Sequence, residues 1–272
     1  MQRKLLALDL DGTVLTSDHT VSPALIEAVK SIAEVAHVMI VTGRHHVAAE
    51  PFYRQLGLNT PIICCNGTYL YDFGQQQVLS ENSIAKDTAA QFIDLSEQHD
   101  LKMVMYVKDA MLYSNQRPIN YMEDMLTWSQ TFPAHQRPNI RRVEDFRQEL
   151  PATDYVWKFV VEGGDVETFA NIDFVSQHFI GEQSWVDRVD FSAIGNSKGN
   201  RLTRYVEQLG IPLEACVAVG DNHNDISMLS KVGLGIAMQN ADDKVKQHAD
   251  RVTEHNNNHV TGLADELKAL FL

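Results

Sequence analysis

Leu5 to Leu10 form a short apolar run, broken only at its end by the turn Asp9-Leu10-Asp11-Gly12-Thr13. A run of this length, closed by a turn, is the pattern of a parallel strand buried on both faces. Parallel strands need crossover connections, so helices should alternate with further strands. Ser22-Pro23 supplies an N-cap and a first helical residue, and Leu25, Ile26, Val29 and Ile32 then fall on one face. His37 to Val41 reads as a second strand, ending at Thr42-Gly43-Arg44. A helix through Phe52, Tyr53 and Leu56 leads to a third strand, Pro61 to Cys65. This βαβαβ order predicts an α/β fold with a doubly wound, mainly parallel, Rossmann-like sheet.

The rhythm then breaks. Thr68 to Leu79 reads as a hairpin turning near Phe73-Gly74. Between about residues 84 and 188, apparent strands (Lys102–Val107, Tyr155–Val161) mix with helices, one of them near Ile119–Gln130. After Gly195 the earlier order returns, with a helix from Ser197, a strand Cys216–Val219, a helix near Asp225–Lys231 and a strand Gly235–Met238. The expected organisation is a core built from residues 1–82 and 189–272, with an α/β cap domain, residues 83–188, inserted between its halves. The polar run Asn256 to Asn258 reads as a surface loop.

The 272 residues carry a formal net charge of −13, which repels phosphate backbones and anionic membrane surfaces. Nucleic acid and membranes are therefore not the expected partners. Cys64, Cys65 and Cys216 lie in apolar stretches without metal spacing and read as reduced, buried thiols. Asp9 and Asp11 interrupt the first apolar run too early for a signal peptide, so a cytoplasmic location is expected.

Residues two apart on an extended chain face the same way, so Asp9 and Asp11 can look into one site beyond the carboxyl end of the first strand. Two adjacent acids repel unless a cation holds them, which points to Mg²⁺ and its preference for oxygen ligands. An isolated acidic turn can equally be a solvated loop. Three further segments argue against that. Thr42-Gly43 offers a hydroxyl and backbone N–H groups to an anion. Lys198, in Asn196-Ser197-Lys198-Gly199, brings an ammonium to a helix start, a favourable phosphate site. Gly220-Asp221-Asn222-His223-Asn224-Asp225 forms a second acidic cluster at a strand end, where Asp225 can also serve as a helix cap.

In this order, these four segments resemble the haloacid dehalogenase superfamily of phosphotransferases. The large insertion between the second and third resembles its Cof-type phosphatase branch with an α/β (C2-type) cap. VTGRHHVA, CCNGTYLYD, YVWKF and GNSKG look most like the bacterial enzymes of that branch that hydrolyse pyridoxal 5′-phosphate. The resemblance implies a Mg²⁺-dependent phosphomonoesterase for a small phosphorylated metabolite, with pyridoxal 5′-phosphate the leading candidate and sugar phosphates next. It implies Asp9 as the nucleophile that becomes an aspartyl phosphate, and Asp11 as general acid and then base. Asp9, Asp221 and the backbone carbonyl of Asp11 would hold the metal. Leu10 and Gly43 through their amides, with Thr42, Lys198 and Asn224, would hold the phosphoryl oxygens. Asp225 would orient Lys198 or a water on the metal.

Other residues have plainer readings. His45 and His46 are expected in cap or surface roles, Trp157 in the core with Lys158 on the opposite strand face, and Met103, Met105 and Met111 as core filler. His223 is expected in solvent. The competing functional readings are a phosphomutase using the same aspartyl phosphate, a receiver-like signalling domain and an inactive binder of phosphometabolites. A receiver would carry adjacent acids after the first strand and its phosphoacceptor after the third. Here the acids alternate, and the third strand ends in Asn66-Gly67.

Overall fold

Burial at every position of Leu5–Leu8 (β1) gives the chain its central strand. Thr13 to Val21 return on themselves through a bridge between Leu15 and Val21. Ser22 then caps the helix Pro23–Ala33 by accepting the Leu25 N–H, with Pro23 in its first turn. The helix buries Leu25, Ala28, Val29 and Ile32, and delivers the chain to His37–Ile40 (β2), parallel to β1. The helix His46–Gln55 leads to Ile62–Cys64 (β3). β3 meets the end of the second strand through a parallel bridge, Val41 to Ile63, and pairs antiparallel with Tyr69–Asp72 (β4). Gln77–Glu81 (β5) completes a three-stranded sheet.

The computed structural model describes residues 4–185 and 187–272. It divides into two compact units, one made of residues up to 80 with 197–272, the other of residues 81–196. The second unit holds Lys102–Val107 (β6), Ala110–Ser114 (β7), Ile140–Val143 (β8), Val156–Glu162 (β9), Phe179–Trp185 (β10) and Arg188–Ala193 (β11). They form one sheet in the order β10-β11-β9-β6-β7-β8, antiparallel except between β7 and β8. Residues 189–196 therefore fall in this unit rather than with the core, because β11 is bonded along its length to β9 and β10.

One face of this sheet packs Met103, Met105, Leu112 and Phe159 against helix residues, with Phe92 stacked on Phe159 at 4.5 Å and set edge-on to Phe169. Met111 is buried as well, so the three methionines are core residues. Trp157 is fully buried and stacks on Tyr155. Lys158 is buried too, paired with Asp190 and lying 4.7 Å from the centre of the Tyr106 ring.

The chain then resumes the first sheet. Ser197 caps the helix Lys198–Gln208, and Cys216–Gly220 (β12), Leu234–Ala237 (β13) and Arg251–Val252 (β14) follow. The five parallel strands run β14-β13-β12-β1-β2. β1 lies between β2 and β12, so its carboxyl end, with Asp9, opens among the loops that follow its neighbours. The α/β class and the mainly parallel central sheet are as the sequence indicates. The first strand stops at Leu8, two residues earlier than the apolar run suggests. All three cysteines are buried and unbridged. Among the described residues, no helix is long and apolar enough to cross a membrane.

Candidate active site

The backbone of Asp9 still belongs to the sheet, its N–H donating to the Val219 carbonyl at 3.0 Å, so its side chain is carried on a rigid support. The carboxylate is 4% exposed and accepts a 2.7 Å hydrogen bond from Lys198 Nζ. Lys198 is fully buried at the start of its helix and donates a second bond, 2.6 Å, to Asp225 Oδ1. Gly199 makes this placement possible, since a Cβ there would lie 2.0 Å from the Ser227 carbonyl oxygen. Asp225 does not cap the helix that follows it; its Oδ2 reaches back to accept the N–H groups of Asp221 and Asn222 at 3.0 Å each, closing a capping box with Asn222. One residue thus closes the acidic turn and holds the lysine.

Oxygens of Asp9, Asp221 and Asp225 lie within 4.8 Å of one another. Burial, and then the charge of Asp225, raise Asp9 well above the ordinary carboxylate range, against the opposing pull of Lys198. The same two causes push Asp221 up to about 7. Burial alone would lower Lys198, but Asp225 and Asp9 together hold it above its usual value and keep it charged. Asp225 spends its oxygens on backbone N–H groups and Lys198, so Asp9 and Asp221 are the two acids of the group left to offer oxygens to a cation. Two hard oxygen donors at close range suit a small divalent cation.

The Asp11 carboxylate lies outside this group. Arg44 grips it with both edges of its guanidinium, Nε to Oδ2 at 2.7 Å and Nη2 to Oδ1 at 2.6 Å. Desolvation opposes ionisation of Asp11 even though its side chain is 47% exposed, but the Arg44 charge and hydrogen bonds keep its carboxyl below the usual range. The arginine itself is seated over the Phe52 ring and reaches the Ala48 carbonyl. The sequence marks Arg44 only by its place in the Thr42-Gly43-Arg44 turn, although an arginine three residues after the expected end of the second strand is a visible signal.

Thr42 is fully buried, with its Oγ1 accepting the Arg44 N–H at 3.1 Å. Leu10 is buried beside Asp9, and its carbonyl accepts the N–H groups of Thr13 and Leu15. Asn224 donates from Nδ2 to Asn66 Oδ1 at 3.0 Å, and its own Oδ1 is buried without a hydrogen-bond partner among the described residues. Asn66 was not a candidate in the sequence. It adopts φ of +58° just after β3, and a Cβ on Gly43 would come within 2.8 Å of its Oδ1. It therefore joins the Thr42-Gly43 turn to the Asn224 side chain. Gly12, at φ +78°, lets the loop pass Asp221 so closely that a Cβ would fall 2.2 Å from Oδ2.

The histidines lie elsewhere. His45 caps the following helix by accepting the Val47 N–H, as one expected reading has it. Neither His45 nor His46 is at the surface, and His46 stacks on Tyr71. His223 is exposed and turns to Asp242 rather than to the acids.

A profile of haloacid dehalogenase-like hydrolases matches residues 6–267. The chain is 44% identical to the pyridoxal phosphate phosphatase YbhA of Escherichia coli over 260 residues, covering 94% of this chain and 95% of that protein. It is 30% identical to an HMP-PP phosphatase of Serratia proteamaculans, with coverages of 88% and 84%. Among solved structures, a haloacid dehalogenase-like hydrolase from Bacteroides thetaiotaomicron superposes with a TM-score of 0.83 at 23% identity, covering 99% of this chain and all of that one.

Proposed function

Because the chain belongs to the haloacid dehalogenase-like hydrolase family and is a phosphatase of it, we propose that it is a Mg²⁺-dependent phosphomonoesterase working through an aspartyl phosphate. Its leading substrate in this reading is pyridoxal 5′-phosphate, on the strength of its likeness to YbhA over nearly its whole length, with sugar phosphates as further substrates. The observation that carries the mechanism is the placement of buried Lys198 between Asp9 and Asp225 at the end of the central strand. The location is proposed as the cytoplasm, where the three buried thiols would stay reduced.

A carboxylate approaching a phosphate dianion is repelled, and charge must be neutralised on the three equatorial oxygens during transfer. Lys198 brings positive charge to the Asp9 oxygen and to the phosphoryl group, and Asp225 keeps the ammonium in place. Asp9 and Asp221, with the Asp11 backbone carbonyl, are the residues to hold Mg²⁺, which when bound supplies further charge neutralisation and orients the phosphoryl group. With Oδ1 taken by Lys198, Asp9 attacks phosphorus through Oδ2, forming the acyl phosphate as the ester oxygen departs. Asp11 gives that oxygen its proton, then takes one from the water that hydrolyses the acyl phosphate. Because Arg44 holds it ionised, it must first release at least one of its two bonds to Arg44 and take up a proton from solvent. Thr42, the Leu10 and Gly43 amides and Asn224, the last oriented by Asn66, are assigned to the phosphoryl oxygens. Residues 81–196 are assigned the role of a cap that selects the leaving group.

The test is phosphate release with excess Mg²⁺ across pyridoxal 5′-phosphate, hexose phosphates, fructose 1,6-bisphosphate and nucleotides, with Asp9→Asn as control. The reading expects release that the variant lacks, greatest on pyridoxal 5′-phosphate. Isomerised sugar phosphate without free phosphate would establish a mutase instead. Near wild-type turnover by Asp9→Asn would overturn the mechanism.

A further inference from the structure

The loop Asn256–Asn258 does more than cover the surface. Asn258 Oδ1 accepts the Ser17 N–H at 2.8 Å, and Asn257 Nδ2 donates to the Leu15 carbonyl at 2.8 Å. Both bonds fix the segment that leaves the acidic turn. The backbone N–H of Asn257 also donates to Asn240 Oδ1 at 3.2 Å, which orients the Asn240 amide. That amide turns its Nδ2 inward, donating to the Gly12 carbonyl at 2.9 Å and reaching Asp221 Oδ2 at 3.4 Å. The other Asp221 oxygen, Oδ1, accepts Thr13 Oγ1 at 3.0 Å. The Asp221 carboxylate is thus addressed from two sides by neutral donors, which set its rotation without neutralising it.

Gly12 follows Asp11 directly, so the bond to its carbonyl anchors the peptide next to the one bearing the Asp11 carbonyl. Asn240 therefore contacts the Asp221 carboxylate directly and steadies the loop that carries the Asp11 carbonyl, two elements far apart in sequence. We propose that Asn240 is a positioning residue for the divalent cation, and that the Asn256–Asn258 loop braces it. This rests on the cation site of the preceding section. Donors that orient metal-bearing carboxylates typically change affinity by roughly 10- to 100-fold when removed. A loop that only stabilised the fold would change melting and leave cation affinity untouched.

The experiment is a titration of the purified full chain with Mn²⁺ alone, without substrate, reading free Mn²⁺ by electron paramagnetic resonance. Thermal melting without metal is followed in parallel. Asn240→Ala is expected to raise the Mn²⁺ dissociation constant about tenfold or more. Asn240→Asp keeps the shape and the acceptor for Asn257 but loses the donor. It is expected to weaken binding despite its added negative charge, whereas a site responding to charge alone would tighten. Asn257→Ala, which loosens the brace, should weaken binding by a smaller factor. Should Asn240→Ala not fold, Asn240→Ser serves the same comparison. Wild-type affinity in the alanine or serine variant, or tighter binding by Asn240→Asp, overturns this inference while leaving the cation site standing, provided Asp221→Ala loses Mn²⁺. A wild-type protein that takes up no Mn²⁺, or an Asp221→Ala variant that binds it unchanged, overturns the cation site together with the inference.

Discussion

Acid should unfold this protein partly through one histidine outside the catalytic cluster. His46 is 4% exposed, and its ring stacks on Tyr71 with centroids 3.9 Å apart. The Tyr69 hydroxyl accepts the His46 backbone N–H at 3.0 Å and lies within hydrogen-bond distance, 2.9 Å, of His46 Nδ1. A second proton would put a charge on a ring that burial keeps from solvent. Burial, with His45 adding a smaller part, pushes His46 down to about 2 from the ordinary 6.5. A folded value below the unfolded one means that the unfolded chain takes up the proton first. The contribution to stability is therefore complete above the unfolded value and is lost progressively as pH falls toward the folded one. At pH 5, about 1.5 units below the unfolded value, the loss amounts to about 2 kcal/mol. The assay is urea unfolding of the wild type and His46→Phe, each at about pH 7.5 and about pH 5. Phenylalanine keeps a ring against Tyr71 but cannot titrate, and the other groups titrate alike in both proteins. The wild type should lose about 2 kcal/mol more than the variant between the two pH values. Equal losses would show that the His46 ring is protonated in the folded protein as readily as in the unfolded one.

Gly12→Ala should cost about 1–2 kcal/mol from the backbone alone, given φ of +78°. It should also raise the Mg²⁺ concentration needed for activity, because the new Cβ displaces Asp221. An unchanged Mg²⁺ requirement in a folded variant would count against that geometry. Lys158→Met should destabilise by about 3–5 kcal/mol in urea, leaving Asp190 buried without its cation, and adding Asp190→Asn should recover most of that loss. A double variant no more stable than the single one would contradict the pairing. In metal-free protein Asp221, pushed up to about 7, holds a proton that the unfolded chain releases near pH 4, so its contribution to stability falls as pH rises through that interval. Mg²⁺ should displace the proton and bind more tightly toward neutral pH. Melting curves of wild type and Asp221→Asn, with chelator and with Mg²⁺, check this, and a wild type with no such decline relative to the variant would refute it.

The sequence was most legible where chemistry and local structure coincide. The alternating acids of Asp9 and Asp11, the Ser22-Pro23 cap and the lysine at a helix start are short-range patterns, and their elements lie close to the expected bounds. Arg44, Asn66 and Asn240 escaped because their roles depend on where distant turns return. Asn66 meets Asn224 only because Cys65 and Asn66 both take positive φ after β3, a conformation nothing in Cys64-Cys65-Asn66 announces. The surface reading of His45 and His46 failed because polarity was taken for exposure, whereas a cap and a stacked ring bury both. The limit of the first compact unit shifted for a related reason, since an apolar strand such as β11 carries no mark of which sheet it will join.

The order in which the first sheet is assembled bears on how the protein is made. A ribosome releases β1 first, and β2 soon after it, but the other neighbour of β1 begins only at Cys216. Until then the strand that leads to Asp9 has one edge unpaired, an aggregation hazard in a nascent chain. Residues 81–196, by contrast, are contiguous and contain a whole sheet with its own aromatic core, so they can condense while the C-terminal strands are still untranslated. Translation therefore yields the unit of residues 81–196 before the five-stranded parallel sheet, and chaperone demand should fall on the half-paired β1–β2 segment. Asp9, the proposed nucleophile, is synthesised well before Lys198 and Asp221, so no truncated product ending before residue 198 can assemble the proposed site.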